Sequence, residues 1–182
     1  MNLGLIQGRL SLPLEGFQDT PVNWKREFLL LPDVGLQHIE WVITKESFSS
    51  NPFFSEDLRE FSIYSVCADN LVDNRISDES YVLSSLTPIC EAAVRNKVKF
   101  VTIPLLEDSD VSDDTTRNKF KKLLQHFTKK YPQLNFSLEA ELGREKLQEL
   151  LIADNVCVTY DTGNMTSCGF DHELYIKSLS GK

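Results

Sequence analysis

The sequence predicts an incomplete α/β barrel in which short buried strands alternate with helices. Six short apolar runs recur along the 182-residue chain, and a helical pattern follows each of them. The runs are continuously apolar, as in parallel strands that are buried on both faces. Polar residues stand at almost every predicted strand end, which is where α/β barrels gather their functional side chains.

The six predicted strands are spread along the whole chain. They cover residues 3–6, 38–43, 63–68, 99–103, 134–139 and 156–161. Pro104 directly follows the fourth run and is expected to stop that strand, because proline lacks the amide hydrogen that a sheet ladder needs. Residues 162–164 (TGN) are expected to turn the chain after the sixth strand.

Apolar residues at helical spacing fill the segments between the strands. The predicted helices cover residues 23–33, 55–61, 78–96, 115–130, 144–153 and 172–180. Gly35 is expected to end the first helix, and Ser55 is expected to cap the second. In the fourth helix, four residues form one apolar stripe: Phe120, Leu123, Leu124 and Phe127.

Two architectures fit repeated strand–helix units: a doubly wound open sheet and a (β/α)8 barrel. The glycine pattern that cradles phosphates in dinucleotide-binding sheets is absent after the first strand, where Gly8 stands alone. The barrel is therefore favoured. Full barrels need about 250 residues, so residues 1–182 are expected to form a single incomplete domain with about six of the eight units.

Composition restricts the possible partners. The chain has 27 acidic and 19 basic residues, a formal charge of -8 that disfavours binding to nucleic acid. No apolar run approaches the roughly 18 residues of a membrane span, and the N-terminus lacks a signal-peptide pattern. We expect a cytoplasmic protein with no nucleic-acid or membrane partner. Its four cysteines show no C-x-x-C pair and are expected to be buried, reduced thiols, since Cys67 and Cys157 lie inside predicted strands.

Two carboxylates end successive predicted strands. Glu139 ends the fifth strand, Asp161 ends the sixth, and a short helix joins them. Such a pair is the start of a metal or acid/base site, although each residue could instead cap the helix that follows it. Glu141 is a rival ligand two residues beyond Glu139. Polar residues also end the other strands: Gln7, Arg9, Glu40, Asp69 and Glu107.

Five segments together resemble a known family. They are residues 5–11 (LIQGRLS), 39–41 (IEW), 65–69 (SVCAD), 137–139 (SLE) and 160–164 (YDTGN). In order and spacing they are similar to the xylose isomerase-like TIM-barrel superfamily, and most of all to its sugar phosphate isomerase/epimerase branch. The resemblance implies an enzyme of carbohydrate metabolism that abstracts a proton next to the carbonyl of a sugar or sugar phosphate.

The resemblance also implies a divalent metal. In that family the ligands are a Glu of strand five, an Asp of strand six, a His of strand seven and a Glu of strand eight. Glu139 and Asp161 match the first two, and Glu139 also matches one of the two acid/base residues. The other two ligands have no counterpart before Lys182. Mn2+ or Mg2+ is the expected metal, and Co2+ or Zn2+ is also compatible with such ligands.

Five residues are candidates for substrate binding. By resemblance, Glu145 matches a substrate-binding Glu six residues after the metal Glu, and Asn164 stands where many members have a His. Glu145 could instead complement the dipole of the helix that it opens. Arg9 could bind a phosphate or pair with Glu40. The remaining two candidates are Gln7, at the end of the first strand, and Glu40 itself, in the second strand.

Two functions follow from these observations. The first is a metal-dependent sugar or sugar-phosphate isomerase/epimerase, impaired by the missing strands seven and eight. The alternative is a non-catalytic barrel remnant, or a binding subunit whose open edges are covered by another chain or by a second copy. A nuclease of the same fold is disfavoured by the acidic charge and by the three scattered histidines, His38, His126 and His172.

Overall fold

The fold is one sheet of six parallel strands with helices in the connections. The computed structural model of the protein describes residues 2–11 and 18–179. The strands are Gly4–Ile6 (β1), His38–Val42 (β2), Ile63–Cys67 (β3), Phe100–Leu105 (β4), Asn135–Ala140 (β5) and Val156–Thr159 (β6). Every predicted strand is therefore present, although the bounds shift by a few residues.

The strand order identifies the architecture. The strands lie side by side in chain order, β1-β2-β3-β4-β5-β6, and every neighbouring pair is parallel. A doubly wound sheet would reverse direction at a switch point, whereas a barrel adds each strand to the same side. The fold is therefore an incomplete α/β barrel. Within residues 2–11 and 18–179, β1 and β6 each pair on one side only.

The described residues contain six α-helices. They are Trp24–Leu30 (α1), Glu79–Arg95 (α2), Asp114–Lys130 (α3), Arg144–Gln148 (α4), Thr162–Ser167 (α5) and His172–Ser178 (α6). Both α5 and α6 follow β6, and the β2–β3 connection has only 3-10 helices. Gly35 follows α1 and a short 3-10 turn with a φ of 73°, a left-handed conformation that suits glycine. The predicted end of the last helix at Ser180 lies outside the described residues. No helix in the described ranges is long and apolar enough to cross a membrane.

Pro104 does not stop its strand, contrary to the sequence prediction. β4 continues through Pro104 to Leu105, and Pro104 lies opposite Glu139 of β5. Main-chain groups two residues apart point to the same neighbouring strand. Thr102 O accepts a hydrogen bond from Ala68 N on the β3 side, where pairing with β3 ends. The amide hydrogen that Pro104 lacks would therefore point past the last β3 partner.

The structure refines two further predictions of local structure. Residues 162–164 form the first turn of helix α5 rather than a loop turn, because Asp161 caps that helix. The short helix predicted at 55–61 is present as a 3-10 helix, Glu56–Glu60, with Ser55 at its N-cap position. Ser55 makes no capping hydrogen bond through its side chain, since the Ser55 hydroxyl donates to Pro52 O at 2.8 Å.

The hydrophobic core lies between the sheet and the helices. The predicted stripe on α3 is buried, and Phe127 packs against Phe136 of β5 with ring centroids 6.4 Å apart. The opposite face of the sheet carries polar side chains inside the barrel. There, the Ser137 and Thr159 hydroxyls share a hydrogen bond of 2.7 Å. Burial on the helix side therefore holds the sheet, and the polar inner face remains available for a site.

Candidate active site

The candidate site lies where the parallel strands end. Glu139 is the fifth residue of β5, with Pro104 of β4 on one side and Thr159 of β6 on the other. Asp161 follows β6 by two residues, so its side chain lies on the same face as Thr159. Both carboxylates are half-buried. Parallel pairing thus brings together two residues that are separated by 22 positions in the sequence.

Asn164 links the two carboxylates. Its side-chain Nδ2 donates to Glu139 Oε1 at 3.2 Å, and its main-chain N donates to Asp161 Oδ1 at 2.7 Å. Asp161 therefore does cap a helix, as the alternative interpretation allowed. Glu139 does not, since α4 begins after Gly143 with no side-chain cap. The structure brings Glu139, Asp161 and Asn164 into one connected group.

Negative charge accumulates around Glu139. Burial, the largest cause, together with the neighbouring carboxylates of Asp161, Glu40, Asp69 and Glu141, raises its pKa from the ordinary 4.5 to about 7. A shift of this kind marks a carboxyl group that lacks a nearby cation. The group therefore has the electrostatics of a site for a cation or for a proton.

A small cavity opens beside Glu139. It has a volume of about 250 Å³, and acidic side chains from four strand ends line it: Glu40, Asp69, Glu107 and Glu139. Thr102 Oγ1 donates to Glu40 Oε1 at 3.0 Å, which holds Glu40 on the inner face of the barrel. The cavity is at the lower end of the range for small-molecule sites.

Three solved structures share this fold. A D-tagatose 3-epimerase-like protein has a TM-score of 0.70 and 12% identity, covering 99% of this chain and 72% of its own. An IolI protein with a bound zinc atom has a TM-score of 0.64 and 17% identity, and the match covers 100% of this chain and 69% of that protein. A xylose isomerase-like TIM-barrel protein from Mycobacterium smegmatis, in complex with magnesium, has a TM-score of 0.67 and 12% identity. The match covers 98% of this chain and 71% of that protein.

The chain has the xylose isomerase-like TIM-barrel fold. Sequence comparison alone does not reach this result, since no family model and no curated protein matches the chain. The fold that the five short motifs predicted is confirmed by the three structures together with the sequential strand order.

Within this barrel, Glu145 lies apart from Glu139. It is exposed near the start of α4 and lines a separate cavity of about 510 Å³. Glu141, the rival ligand, is also exposed and lines that second cavity, as does Tyr175 of α6. Neither Glu141 nor Glu145 lines the acidic cavity, although the Glu141 carboxylate is near enough to Glu139 to raise its pKa.

Gln7 is buried and fully engaged at the end of β1. Its Nε2 donates to Val42 O at 3.2 Å and its Oε1 accepts from Val42 N at 3.2 Å, which joins the ends of β1 and β2. Arg9 Nη1 donates to Gln7 O at 3.4 Å. No ion pair between Arg9 and Glu40 is found among the described side chains.

The histidines lie outside the acidic cavity. The His172 ring is held on both sides, since Nδ1 shares a 2.6 Å hydrogen bond with Tyr160 Oη and Nε2 lies 3.2 Å from Thr166 Oγ1. His38 packs on Tyr64 at the other end of the sheet, and His126 is exposed on α3. Within the part of the chain that is described, no three acidic, Cys or His side chains are placed to hold a metal.

Two features of the site were not foreseen from the sequence. Cys67, predicted only as a buried thiol, lines the acidic cavity, and burial together with Glu40, Asp69 and Glu139 raises its pKa. All four cysteines are free, as predicted, but Cys168 is exposed. Gln18 also lines the cavity. The alternation of side chains along β3 could have revealed Cys67, but no local pattern indicates Gln18.

Proposed function

We propose that this chain carries the core of a divalent-metal-dependent sugar or sugar-phosphate isomerase/epimerase that acts by proton abstraction next to a carbonyl. The observation that carries the proposal is the connected group of Glu139, Asn164 and Asp161 at the strand ends of this barrel. The three structures of the same fold include an epimerase-like protein and two proteins with a bound divalent metal, which supports both parts of the proposal.

The donor chemistry of the site fits a divalent cation in type and is incomplete in number. Glu139 and Asp161 would supply hard carboxylate oxygens, which suit Mn2+ or Mg2+ and also accept Co2+ or Zn2+. Burial and, after it, repulsion from neighbouring carboxylates raise the pKa of Glu139, and a bound cation would relieve that repulsion. No third ligand joins them among residues 2–11 and 18–179, so we propose these two as part of a ligand set.

The proton transfer is assigned to Glu139. A carboxylate oxygen takes the proton from the carbon next to the sugar carbonyl, and return of that proton by the same group to the neighbouring carbon, on the same face, gives an isomer. An epimer requires a proton delivered to the opposite face of the first carbon, which is the role of a second acid facing Glu139 across the substrate. A bound divalent cation would lower the cost of the negative charge that develops on the substrate oxygens.

Asn164 and Glu40 are proposed to orient the reaction. The Asn164 amide donates to one oxygen of Glu139 and so restricts the rotation of that carboxylate. Glu40 lies on the inner face of the barrel and lines the acidic cavity, where it can accept a sugar hydroxyl. Arg9, Gln7 and Glu145 remain predicted substrate residues, and the hydrogen bonds of Gln7 favour a role in shaping the β1–β2 end.

Solvent proton exchange tests the proposal. The protein is incubated in deuterated water with Mn2+ or Mg2+ and with ketoses or their phosphates, and deuterium at C1 and C3, the carbons next to the carbonyl, is followed by NMR. We expect metal-dependent exchange that falls at least about a hundredfold in Glu139→Gln. Glu60→Gln, an exposed Glu in the β2–β3 connection, is the control and should exchange normally. Exchange by Glu139→Gln at the normal rate, or none by the normal protein, would overturn the proposal.

A second candidate is a non-catalytic binding subunit that another chain completes. It is favoured by the free outer sides of β1 and β6 in the described sheet and by the two-carboxylate ligand set. This candidate predicts that a sugar and a divalent metal bind without any exchange of deuterium. Calorimetric titration beside the exchange assay separates the two functions.

A further inference from the structure

The acidic cavity beside Glu139 has an unusual charge for a site that would take a sugar phosphate. Glu40, Asp69, Glu107 and Glu139 line it, and no Lys, Arg or His does so among the residues described. Arg9, the predicted phosphate-binding residue, is not part of the lining, and its guanidinium donates to the main-chain oxygen of Gln7. A phosphate dianion entering this cavity would meet several carboxylates and, among residues 2–11 and 18–179, no cationic side chain in the lining.

Two of these carboxylates are held in place by a buried contact between their loops. Asp69 begins the loop after β3, and Glu107 lies in the loop after β4. Ser109, fully buried, places its hydroxyl 2.9 Å from Asn74 O and within hydrogen-bond distance of Leu71 O. The loop of Glu107 is therefore tied to the loop of Asp69.

The backbone of Glu107 is also unusual. Its φ is 52°, in the left-handed region that residues other than glycine rarely adopt. Such conformations persist where the surrounding structure imposes them, and they concentrate at functional sites. Here the conformation directs the chain from β4 into the turn that Ser109 anchors, with Glu107 at the mouth of the cavity.

The rest of the lining favours hydroxyl groups. Ionised carboxylates only accept hydrogen bonds, so they match the hydroxyl donors of a sugar. Gln18 adds a further acceptor, since its buried Oε1 has no hydrogen-bond partner among the described residues. A buried acceptor without a donor indicates that a donor comes from a water or a ligand. The proximity of Asp69 to Glu107 is also seen in the Asp69 pKa, which burial raises most and Asp73, Glu107 and Glu46 raise further.

We propose that Asp69 and Glu107 are specificity-determining residues that make this site select an unphosphorylated monosaccharide over its phosphate ester. The inference rests on the proposed function, because it takes Glu139 as the reacting group. A sugar held at Glu139 of β5 extends under the β4 and β3 ends, where Glu107 and Asp69 repel an anionic group. Specificity of this kind arises from a repulsive element as much as from attractive contacts.

Binding titrations of matched ligand pairs test the inference. D-Fructose and D-tagatose, each beside its 6-phosphate, are titrated by calorimetry into the normal protein with Mg2+ at low ionic strength. We expect each free sugar to bind at least about tenfold more tightly than its phosphate. In the double variant Asp69→Asn/Glu107→Gln, the affinity for the phosphates relative to the free sugars should rise at least about tenfold, because the amides remove the repulsion and keep an oxygen that accepts a sugar hydroxyl.

A neighbouring acid gives the matched control. Asp108→Asn removes one charge from the same turn, at an exposed residue that does not line the cavity, and should leave the preference unchanged. Phosphates that bind as tightly as the free sugars, together with normal deuterium exchange, would overturn the selectivity and leave the proposed function standing. Absence of binding by every ligand, with no exchange, would overturn both.

Discussion

At the scale of single residues, two opposing effects set the pKa of the Glu139 carboxyl group. Burial on the inner face of the barrel and the nearby carboxylates disfavour its charged form, which raises its pKa to about 7. The hydrogen bond from Asn164 Nδ2 favours the charged form but does not offset this effect. The residue is thus placed for chemistry at a cost to the stability of the folded chain, as is common at active sites.

The substitution Glu139→Gln should therefore stabilise the metal-free protein at alkaline pH. A raised carboxyl pKa means that the folded state loses stability as pH rises from about 4.5 to about 7, and the loss is complete above that range. In a fully buried group, this pKa shift would lower the free energy of unfolding by about 3 kcal/mol. Glu139 is half-buried, and solvent screening reduces the expected loss to about 1–2 kcal/mol. Urea unfolding in EDTA at about pH 8 and about pH 4 measures it.

The gain in stability from Glu139→Gln should be present at about pH 8 and absent at about pH 4, where the Glu139 carboxyl group is protonated in both the folded and the unfolded state. A Gln variant that is equally stable or less stable than the normal protein at about pH 8 would show that repulsion around Glu139 is not a net cost. Glu60→Gln, an exposed change of the same type, controls for the general loss of one negative charge.

Residue-scale predictions from sequence succeeded where the signal is local. Glu139 and Asp161 were identified as a pair because each ends an apolar run, and parallel pairing places such ends together. The link through Asn164 and the anchor at Ser109 could not be predicted, since each depends on atoms far apart in the chain. Glu145 was predicted by resemblance, from its place six residues after Glu139, and it stays a prediction; the separate cavity that it lines could not be predicted from that spacing.

At the scale of elements, periodicity predicted which elements exist better than where they end. The helices around 78–96 and 115–130 are α2 and α3 with nearly the predicted bounds, because their apolar residues recur over several turns. Short elements were less certain, as the 3-10 helix Glu56–Glu60 shows. The error at Pro104 has a tertiary cause, since proline is compatible with β4 only because β3 pairing ends at Thr102.

Arg117 joins three elements through one buried side chain. From α3, its Nε donates to Glu149 beyond α4 at 2.9 Å, its Nη2 donates to Asp114 at 2.6 Å, and its Nη1 donates to the main-chain oxygens of Val111 and Ser112. Only 5% of the side chain is exposed, while Asp114 and Glu149 are largely in solvent. The connections after β4 and β5 are therefore tied together behind the candidate site.

Replacing Arg117 by Ala should destabilise the protein by about 2–3 kcal/mol, because buried main-chain acceptors lose charged donors. Lys177→Ala removes the ion pair with Glu173 on α6, where both side chains are more than two-thirds exposed, and should change stability by less than about 0.5 kcal/mol. Thermal unfolding of both variants measures the difference. Equal effects of the two substitutions would show that Arg117 acts as an ordinary surface charge.

At the scale of the whole molecule, the sequential strand order has a consequence for both edges of the sheet. The repeat of strand–helix units does not by itself distinguish a barrel from a doubly wound sheet, since both consist of such units. The absence of the phosphate-binding glycine pattern and the polar strand ends favoured the barrel. The described sheet stays open, and unpaired strand edges favour pairing with other chains. Apolar side chains lie exposed near each edge: Leu3 beside β1, and Leu174 and Ile176 on α6 beyond β6.

We therefore expect the protein to self-associate through these edges, and the apolar side chains beside them to contribute to the contact. Sedimentation velocity over a range of concentrations should show a mass that rises with concentration. Leu3→Lys and Leu174→Lys should each weaken association by about tenfold, since each removes apolar contact area and adds a charge. Leu29→Lys is the matched control, because Leu29 is 75% exposed on α1, which lies on the helical layer of the barrel. A monomer at every concentration, or equal weakening by all three substitutions, would show that the open edges are not the contact.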